Sequence, residues 1–292
     1  MRCCVVISPI ERSNMTTTLE SLTGKDYVSH SAINTWLNCG WQYYLSRVHH
    51  VPENPSYWLV GGKAVHECTE KYDFGHLKDV NEDFLEAWNR NYEQSDNGLP
   101  FRAGGRATKA YPDKEDASWW LQHGPQMVSD WITWRHESGY QMFVLPEGEQ
   151  AIETELSQEL AGVKMRGFLD RLMVSPDGEV VVVDIKTGSK APGTDTQLGT
   201  YAILVEKTFG IKVTKGAYWM SRTGELTPLI DLTHHTEARL ASHINGFKRA
   251  IENKIFLPNP GFMCGTCSVN KACFAVNGPD SHLYPELLVE EN

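Results

Sequence analysis

Four consecutive valines run into two charges in Val180-Val-Val-Val-Asp184-Ile-Lys186-Thr-Gly188. An unbroken β-branched run reads as a strand buried on both faces, central in a sheet covered by helices. Side chains alternate faces along a strand, so Asp184 and Lys186 point the same way, with Cα atoms roughly 6–7 Å apart. A carboxylate and an amine buried at the end of such a strand are unfavourable unless each has a partner. The stretch Val163–Val174 is also rich in β-formers, and Ser175-Pro-Asp-Gly178 is a turn signal. The two strands therefore form a hairpin. Its first strand carries Gly167-Phe-Leu-Asp170-Arg171, which places a second carboxylate, Asp170, beside Asp184.

Two carboxylates and a lysine at one place meet the needs of metal-dependent phosphodiester hydrolysis. The carboxylates hold Mg²⁺ or Mn²⁺. The ion lowers the pKa of a bound water and neutralises charge on the phosphate. The lysine orients or deprotonates that water, or stabilises the pentavalent phosphate. The bland alternative is a pair of surface salt bridges on a hairpin, but four valines are not the company a surface salt bridge keeps.

The rest of the chain frames this segment. Helical spacing predicts helices over Ser29–Val48, from Gly61-Gly62 through His66 towards Tyr72, over Asn81–Tyr92 and over Ala117–His136. Trp119, Trp120, Trp131 and Trp134 read as packing residues rather than a stacking surface. Gly98–Asp113, with Arg102, Arg106 and Lys109, reads as a mobile loop, solvated or in contact with DNA. Ala151–Leu160 predicts a further strand. Thr194–Thr208 and about Thr236–Glu252 predict helices, and Gly216–Arg222 with Glu225–Leu232 predict a hairpin turning at Thr223-Gly224. Four regions follow: a poorly ordered N-terminus (1–28), in which Met15 is an alternative start; a helical region (29–148); an α/β core (149–255); and a cysteine-rich tail (256–292). No internal repeat interrupts them.

Composition sets limits. Among 292 residues the net charge is −10, which argues against coating nucleic acid by bulk electrostatics. The charge is polarised: Ala161–Arg222 holds nine Lys/Arg against six Asp/Glu, which leaves −13 on the remainder. No run approaches the roughly 20 apolar residues of a membrane helix, and Met1–Ile10 is no signal peptide. The expectation is a cytoplasmic protein without a membrane partner. Seven cysteines, an odd number, then argue against a disulfide framework.

Gly167-Phe-Leu-Asp170-Arg171 followed by Val183-Asp184-Ile-Lys186-Thr-Gly resembles the PD-(D/E)XK nuclease superfamily in its RecB-like exonuclease branch. The resemblance implies a restriction-endonuclease-like α/β fold, a mixed central sheet flanked by helices, with an N-terminal helical region and a C-terminal cysteine-rich staple. It implies Asp170, Asp184 and Lys186 as the catalytic core. Gly62-Lys-Ala-Val-His66 is similar to the branch's Gly-x-x-Val-His helix, which makes His66 a metal ligand with Asp170, Asp184 and Ile185. Glu153 fits the family's glutamate on the strand before the hairpin, with Glu155 as its competitor. Gln197-Leu-Gly-Thr-Tyr201 matches the branch's Gln-Leu-x-x-Tyr; i and i+4 share a helix face, so both lean over the site. The stretch from about Asp73 to Leu145 matches no motif.

Cys264-Gly-Thr-Cys267, then five residues and Cys273, gathers three thiols in a short tail. Thiolates suit zinc and iron–sulfur clusters alike. RecB-like nucleases of the AddB and CRISPR-adaptation type add one distant N-terminal cysteine, and Cys39 matches it, although Gly40 stands where the family usually has proline. The resemblance thus implies a 4Fe–4S cluster on Cys39, Cys264, Cys267 and Cys273, stapling the tail to the helical region. Cys68 reads as a buried small residue. The function implied is a metal-dependent exonuclease on linear or single-stranded DNA. No Walker A pattern is present, so unwinding needs a recombination or helicase partner or single strands that already exist. The rivals are a non-catalytic binding module of a recombination or repair complex on the same scaffold, and a zinc-stapled structural protein.

Overall fold

The structure, a computed structural model, describes residues 17–105 and 114–284. Met15, Cys3, Cys4, Arg106 and Lys109 therefore lie outside the described residues. The chain opens with α1 (Leu19–Thr23), β1 (Tyr27–Val28), α2 (His30–Asn38) and α3 (Gly40–Tyr43). Three longer helices follow: α4 (Tyr57–Asp73), α5 (Val80–Ser95) and α6 (Ala117–Glu137). The sheet segment runs β2 (Gln141–Met142), β3 (Ile152–Leu160), β4 (Val163–Val174), β5 (Val180–Lys186), α7 (Thr196–Phe209), β6 (Lys215–Met220), β7 (Glu225–Leu226) and β8 (Ile230–Asp231). Helix α8 (Glu237–Glu252) and a tail of short 3₁₀ turns complete it.

β4 is the hub of the sheet. It pairs antiparallel with β3, β2 and β5, and parallel with β1. The Pro176-Asp177-Gly178 turn closes the β4–β5 hairpin as the sequence predicts, with Gly178 at φ +83. β5 and β6 are parallel, which requires a crossover, and α7 supplies it. The result is a mixed sheet between helices. Both faces of β5 are buried: Val182 joins the core under α7 and α8, while Val181, Val183 and Ile185 pack with Trp131 and Trp219 on the other side.

The stretch that matches no motif packs with α4 into a second core. Helices α4, α5 and α6 bury Val60, Ala64, Val65, Cys68, Phe84, Trp88 and Trp120 among themselves. Their close approach depends on glycine, since a Cβ at Gly61 would stand 2.0 Å from Trp120 and one at Gly124 would stand 2.0 Å from Phe84. Trp120 and Trp131 are fully buried, as packing residues should be.

Several boundaries differ from those the sequence predicts. Residues 17–28, expected to be poorly ordered, form α1, capped by Thr18, and the edge strand β1. Buried Val28 and β4's free edge hold them. The helix expected over Ser29–Val48 breaks at Cys39, which is extended (φ −161) and caps α3 with its sulfur; the chain then winds into a π-helical turn over Tyr44–Val48. α4 starts at Tyr57, ahead of the glycine pair, because burial against α6 outweighs the low helix propensity of glycine. The strand expected over Glu225–Leu232 splits into β7 and β8 around Pro228, which has no N–H for the ladder.

A fully buried arginine ties the helical layer to the sheet. Arg171 Nε donates to Asp73 Oδ2 at the end of α4 (2.7 Å), and Nη1 donates to Glu153 Oε1 on β3 (3.2 Å) and to the Asp170 carbonyl (2.7 Å). Asp73 also accepts from Trp131 Nε1 (3.2 Å) and Arg135 Nε (3.1 Å) of α6. Removing one partner of a buried ion pair leaves the other charge uncompensated. Arg171→Met is expected to lower unfolding free energy by about 3–5 kcal/mol, read as a lower urea midpoint. Arg171→Met with Asp73→Asn should recover part of that loss.

Candidate active site

The register of the sheet lines up three acids. In the β4–β5 ladder Arg171 pairs with Val183, so Asp170 falls opposite Asp184 one step further on. In the β3–β4 ladder Ile152 pairs with Arg171 and Thr154 with Leu169, so Glu153 falls opposite Asp170. Glu153, Asp170 and Asp184 thus stand on one rung of three adjacent strands. Glu153 sits at φ +44, a left-handed conformation that is unusual for a non-glycine inside a strand, and the ladder skips it. Such a residue costs about 1–3 kcal/mol and persists only where its surroundings hold it. Here Arg171 holds it through Oε1.

α4 brings His66 to this rung. Gly62 lets the helix pass close to the end of β5, since a Cβ there would lie 3.0 Å from Thr187 Oγ1. One turn on, His66 Nε2 is 3.0 Å from the Ile185 carbonyl, which can only accept, so Nε2 carries the proton. Nδ1 then faces the acids, 3.6 Å from Asp170 Oδ2 and 3.9 Å from Glu153 Oε1. The ligating atoms of His66, Glu153 and Asp170 lie within 4.8 Å of one another. The Ile185 side chain points into the opposite core, but its main chain belongs to the site: its N–H donates to Asp170 Oδ2 at 2.8 Å.

On the other side, Lys186 Nζ lies 2.6 Å from Asp184 Oδ2 and donates to Gln197 Oε1 at 2.9 Å. Gln197 Nε2 in turn donates to Tyr201 Oη at 3.3 Å. The Tyr201 ring covers Gly167, where a Cβ would stand 3.1 Å from it. The Gln–Tyr pair of α7 is therefore delivered onto the lysine. Glu155 turns away to Arg166 (2.8 Å), half exposed, and takes no part in the cluster.

Electrostatics at this rung are unfavourable for bare charges. Burial, then the neighbouring Asp170 carboxylate, pushes the Asp184 carboxyl up to about 7, against the pull of Lys186. Burial and Glu153 raise Asp170 too, opposed by His66. Burial works to lower His66, but Asp170, Glu153 and Asp184 prevail and raise it to about 9. Asp184 is 1% exposed, and its Oδ2 has no well-directed hydrogen bond; Lys186 touches it off line. A buried carboxylate oxygen met by Lys186 and set beside a His–Glu–Asp triangle fits a hard divalent cation with oxygen and nitrogen ligands.

Sequence reasoning passed over Arg171, although it stands inside the Gly-x-x-Asp-Arg motif, and over Asp73 and Thr69, its partners from α4. The only signal was an arginine within a run of β-formers. Asp73 lies 98 positions away and gave none.

The four motif cysteines lie at the junction of the α2–α3 break and the tail. Cys39 Sγ accepts from Gln42 N (3.5 Å) and Asn259 N (3.4 Å), and Cys264 Sγ accepts from Gly261 N (3.3 Å). Burial raises the Cys267 and Cys273 thiols, and the nearby thiols Cys39 and Cys264 add to this. Cys68 is a core residue, its thiol pushed up to about 12 by burial.

The Asp184 shift has a sign that can be checked. The folded carboxyl titrates near 7 and the unfolded one near 3.8, so the native state of metal-free protein loses stability as pH rises through that window. Asp184→Asn is expected to raise the melting temperature of metal-free protein at pH 8 and to leave it little changed at pH 4. Thermal melts in chelator at the two pH values test this.

The chain matches the profile of the PD-(D/E)XK nuclease superfamily across residues 27–274. The Gene 69 protein of Mycobacterium phage D29 is 30% identical over 273 residues, which cover 84% of this chain and 95% of the phage protein. That of Mycobacterium phage L5 is 30% identical over 278 residues, with the same coverage of 84% and 95%. A crystal structure of a Eubacterium rectale protein, provisionally named an exonuclease, overlays with a TM-score of 0.48 at 13% identity, covering 90% of this chain and 93% of that one. The family match takes in β1 through the cysteine tail, and with it every side chain of the cluster: the chain belongs to the PD-(D/E)XK nuclease superfamily.

Proposed function

We propose that this protein is a metal-dependent DNA exonuclease of the RecB-like type, acting on linear or single-stranded DNA from an end. The observation that carries the reading is the cavity beside the site. It has a volume of 530 Å³ and reaches the site at Gln197 and Tyr201; Lys25, Tyr27, Arg47, Arg166 and Phe168 line it. That is the size of a small-molecule pocket, room for a nucleotide or two and far short of a duplex. Its cations match the phosphate backbone. Phe168 is 48% exposed, and the Arg166 guanidinium lies over the rings of Tyr27 and Phe168, a combination suited to stacking unpaired bases.

His66 through Nδ1, with Glu153, Asp170 and Asp184, would hold Mg²⁺ or Mn²⁺, while the Ile185 carbonyl orients the His66 ring. A divalent ion there would lower the pKa of a bound water and neutralise charge on the phosphate. Lys186, aimed by Gln197, meets the attacking water or the phosphate oxygen. Gln197 binds that lysine, Tyr201 binds Gln197, and both line the cavity, which would link strand position to catalysis. Continuity with the net acidic remainder of the chain makes binding local, so activity should fall steeply with salt.

We infer further that Cys39, Cys264, Cys267 and Cys273 hold a 4Fe–4S cluster. N–H···S bonds to Cys39 and Cys264, and the gathering of the four cysteines at one junction, support a thiolate centre. Such a centre would bind the tail to α2 and α3, where Asn259 Nδ2 already donates to the Asn38 carbonyl. DNA is the partner proposed, with a helicase or recombination protein to supply unwound ends.

End-labelled linear DNA and a closed circle, each with Mg²⁺ or Mn²⁺ and with chelator, test the enzyme. Metal-dependent loss of linear DNA alone is expected, with Lys186→Ala at least about 10²-fold slower. No cleavage by intact protein with either metal would move the reading to the binding module. For the cysteines, brown protein with broad visible absorbance and about four irons per chain is expected after anaerobic purification; colourless protein carrying one zinc would replace the cluster with a zinc staple.

A further inference from the structure

Away from the catalytic rung, the loop between β8 and α8 lays two adjacent histidines on the start of α7. His235 Nε2 lies 3.0 Å from Asp195 Oδ1, and His234 Nε2 lies 3.2 Å from Asp195 Oδ2. Each carboxylate oxygen faces one ring, and ligating atoms of the three residues lie within 4.8 Å of one another.

Three features set this group apart from ordinary ion pairs. Asp195 occupies the N-cap of α7, a position where aspartate normally accepts from the free N–H groups of the first turn, yet its side chain makes no capping bond. The carboxylate faces the histidines instead. The His235 side chain is only 9% exposed, and its buried Nε2 has no hydrogen bond even with a carboxylate oxygen 3.0 Å away. The nitrogen is thus aimed beside that oxygen, not at it. The ring has little freedom to correct this: it lies on Gly199, where a Cβ would stand 2.2 Å from it, and against the His234 ring at a centroid distance of 4.1 Å. A buried polar atom left without a partner is unfavourable, and an ion between the three donors would satisfy it.

We propose that Asp195, His234 and His235 form a second metal site, selective for a divalent transition ion of the zinc type. Two imidazole nitrogens and one carboxylate oxygen suit zinc, nickel or cobalt and disfavour magnesium, which takes oxygen ligands. Two ligand atoms about 2.0–2.1 Å from a tetrahedral zinc are roughly 3.3 Å apart, close to the nitrogen–oxygen separations found here. His234 is 44% exposed, which leaves a path for the ion and a fourth position for water. An ion at this place ties the β8–α8 loop to α7 two residues before Gln197, which holds Lys186. Tyr218 Oη fixes the same turn from β6 by donating to the Thr194 carbonyl at 3.0 Å.

The test is zinc titration by calorimetry of the full-length protein, in excess Mg²⁺, for wild type, His234→Ala and Asp195→Asn. The substitutions touch neither the cysteines nor the catalytic rung, so differences from wild type isolate this site. Each variant is expected to bind one zinc fewer per chain, and zinc is expected to raise the melting temperature of wild type more than that of either variant. The far-ultraviolet spectrum checks that both variants fold. Equal zinc stoichiometry in wild type and either folded variant overturns the proposal and leaves two histidine–aspartate ion pairs. The outcome does not depend on DNA cleavage, so it stands apart from the nuclease reading.

Discussion

Arg171 is the point on which the architecture turns. Its guanidinium is wholly inside the protein and binds Asp73 from the helical layer, Glu153 from β3 and the Asp170 carbonyl of its own strand. A guanidinium cannot lose its charge, so it must keep these partners. The helices α4 and α6 are thereby seated on the sheet in one position. His66 rides on α4, one turn before Thr69 and two before Asp73. The histidine therefore reaches the carboxylates because the arginine has already fixed the helix that carries it.

The same arginine sustains a site that is poor in stability terms. Three acids share one rung, one of them on a left-handed backbone, and burial raises the carboxyls of two. Proteins tolerate such arrangements where function uses them. The cavity lined by Arg47 and Arg166 also has Gln197 and Tyr201 in its wall, and Gln197 is the residue through which α7 reaches Lys186. Lys186 stands between the acids and α7, paired with Asp184 on one side and Gln197 on the other.

Much of the site was legible because it is local. Asp184 and Lys186 share a strand face, and Asp170 follows from a hairpin with a clear turn; Gln197 and Tyr201 follow from the family resemblance, helical spacing adding only that they share a face. The failures have equally local causes. Glu153 and Glu155 alternate to the same face in an ideal strand, so periodicity cannot choose between them; the left-handed kink at Glu153 does. The break at Cys39 is hidden because an extended residue between two helical turns leaves the apolar spacing nearly intact. The order of residues 17–28 depends on a free edge of β4, where Val28 pairs with Met165, 137 positions further along the chain.

The sequence by itself determined most of the elements, the buried strand with its two charges, and the membership of Asp170, Asp184 and Lys186 in one hairpin, because hydrophobic period and turn chemistry act over a few residues. Tertiary structure alone decided that Arg171 would be an internal clamp, that His66 would present Nδ1 to the acids, that Lys25, Arg47 and Arg166 would share one cavity, and that two histidines would meet Asp195. These depend on how helices and strands distant in the chain are brought together. That is set by the summed burial of many side chains, and no short stretch of sequence carries it.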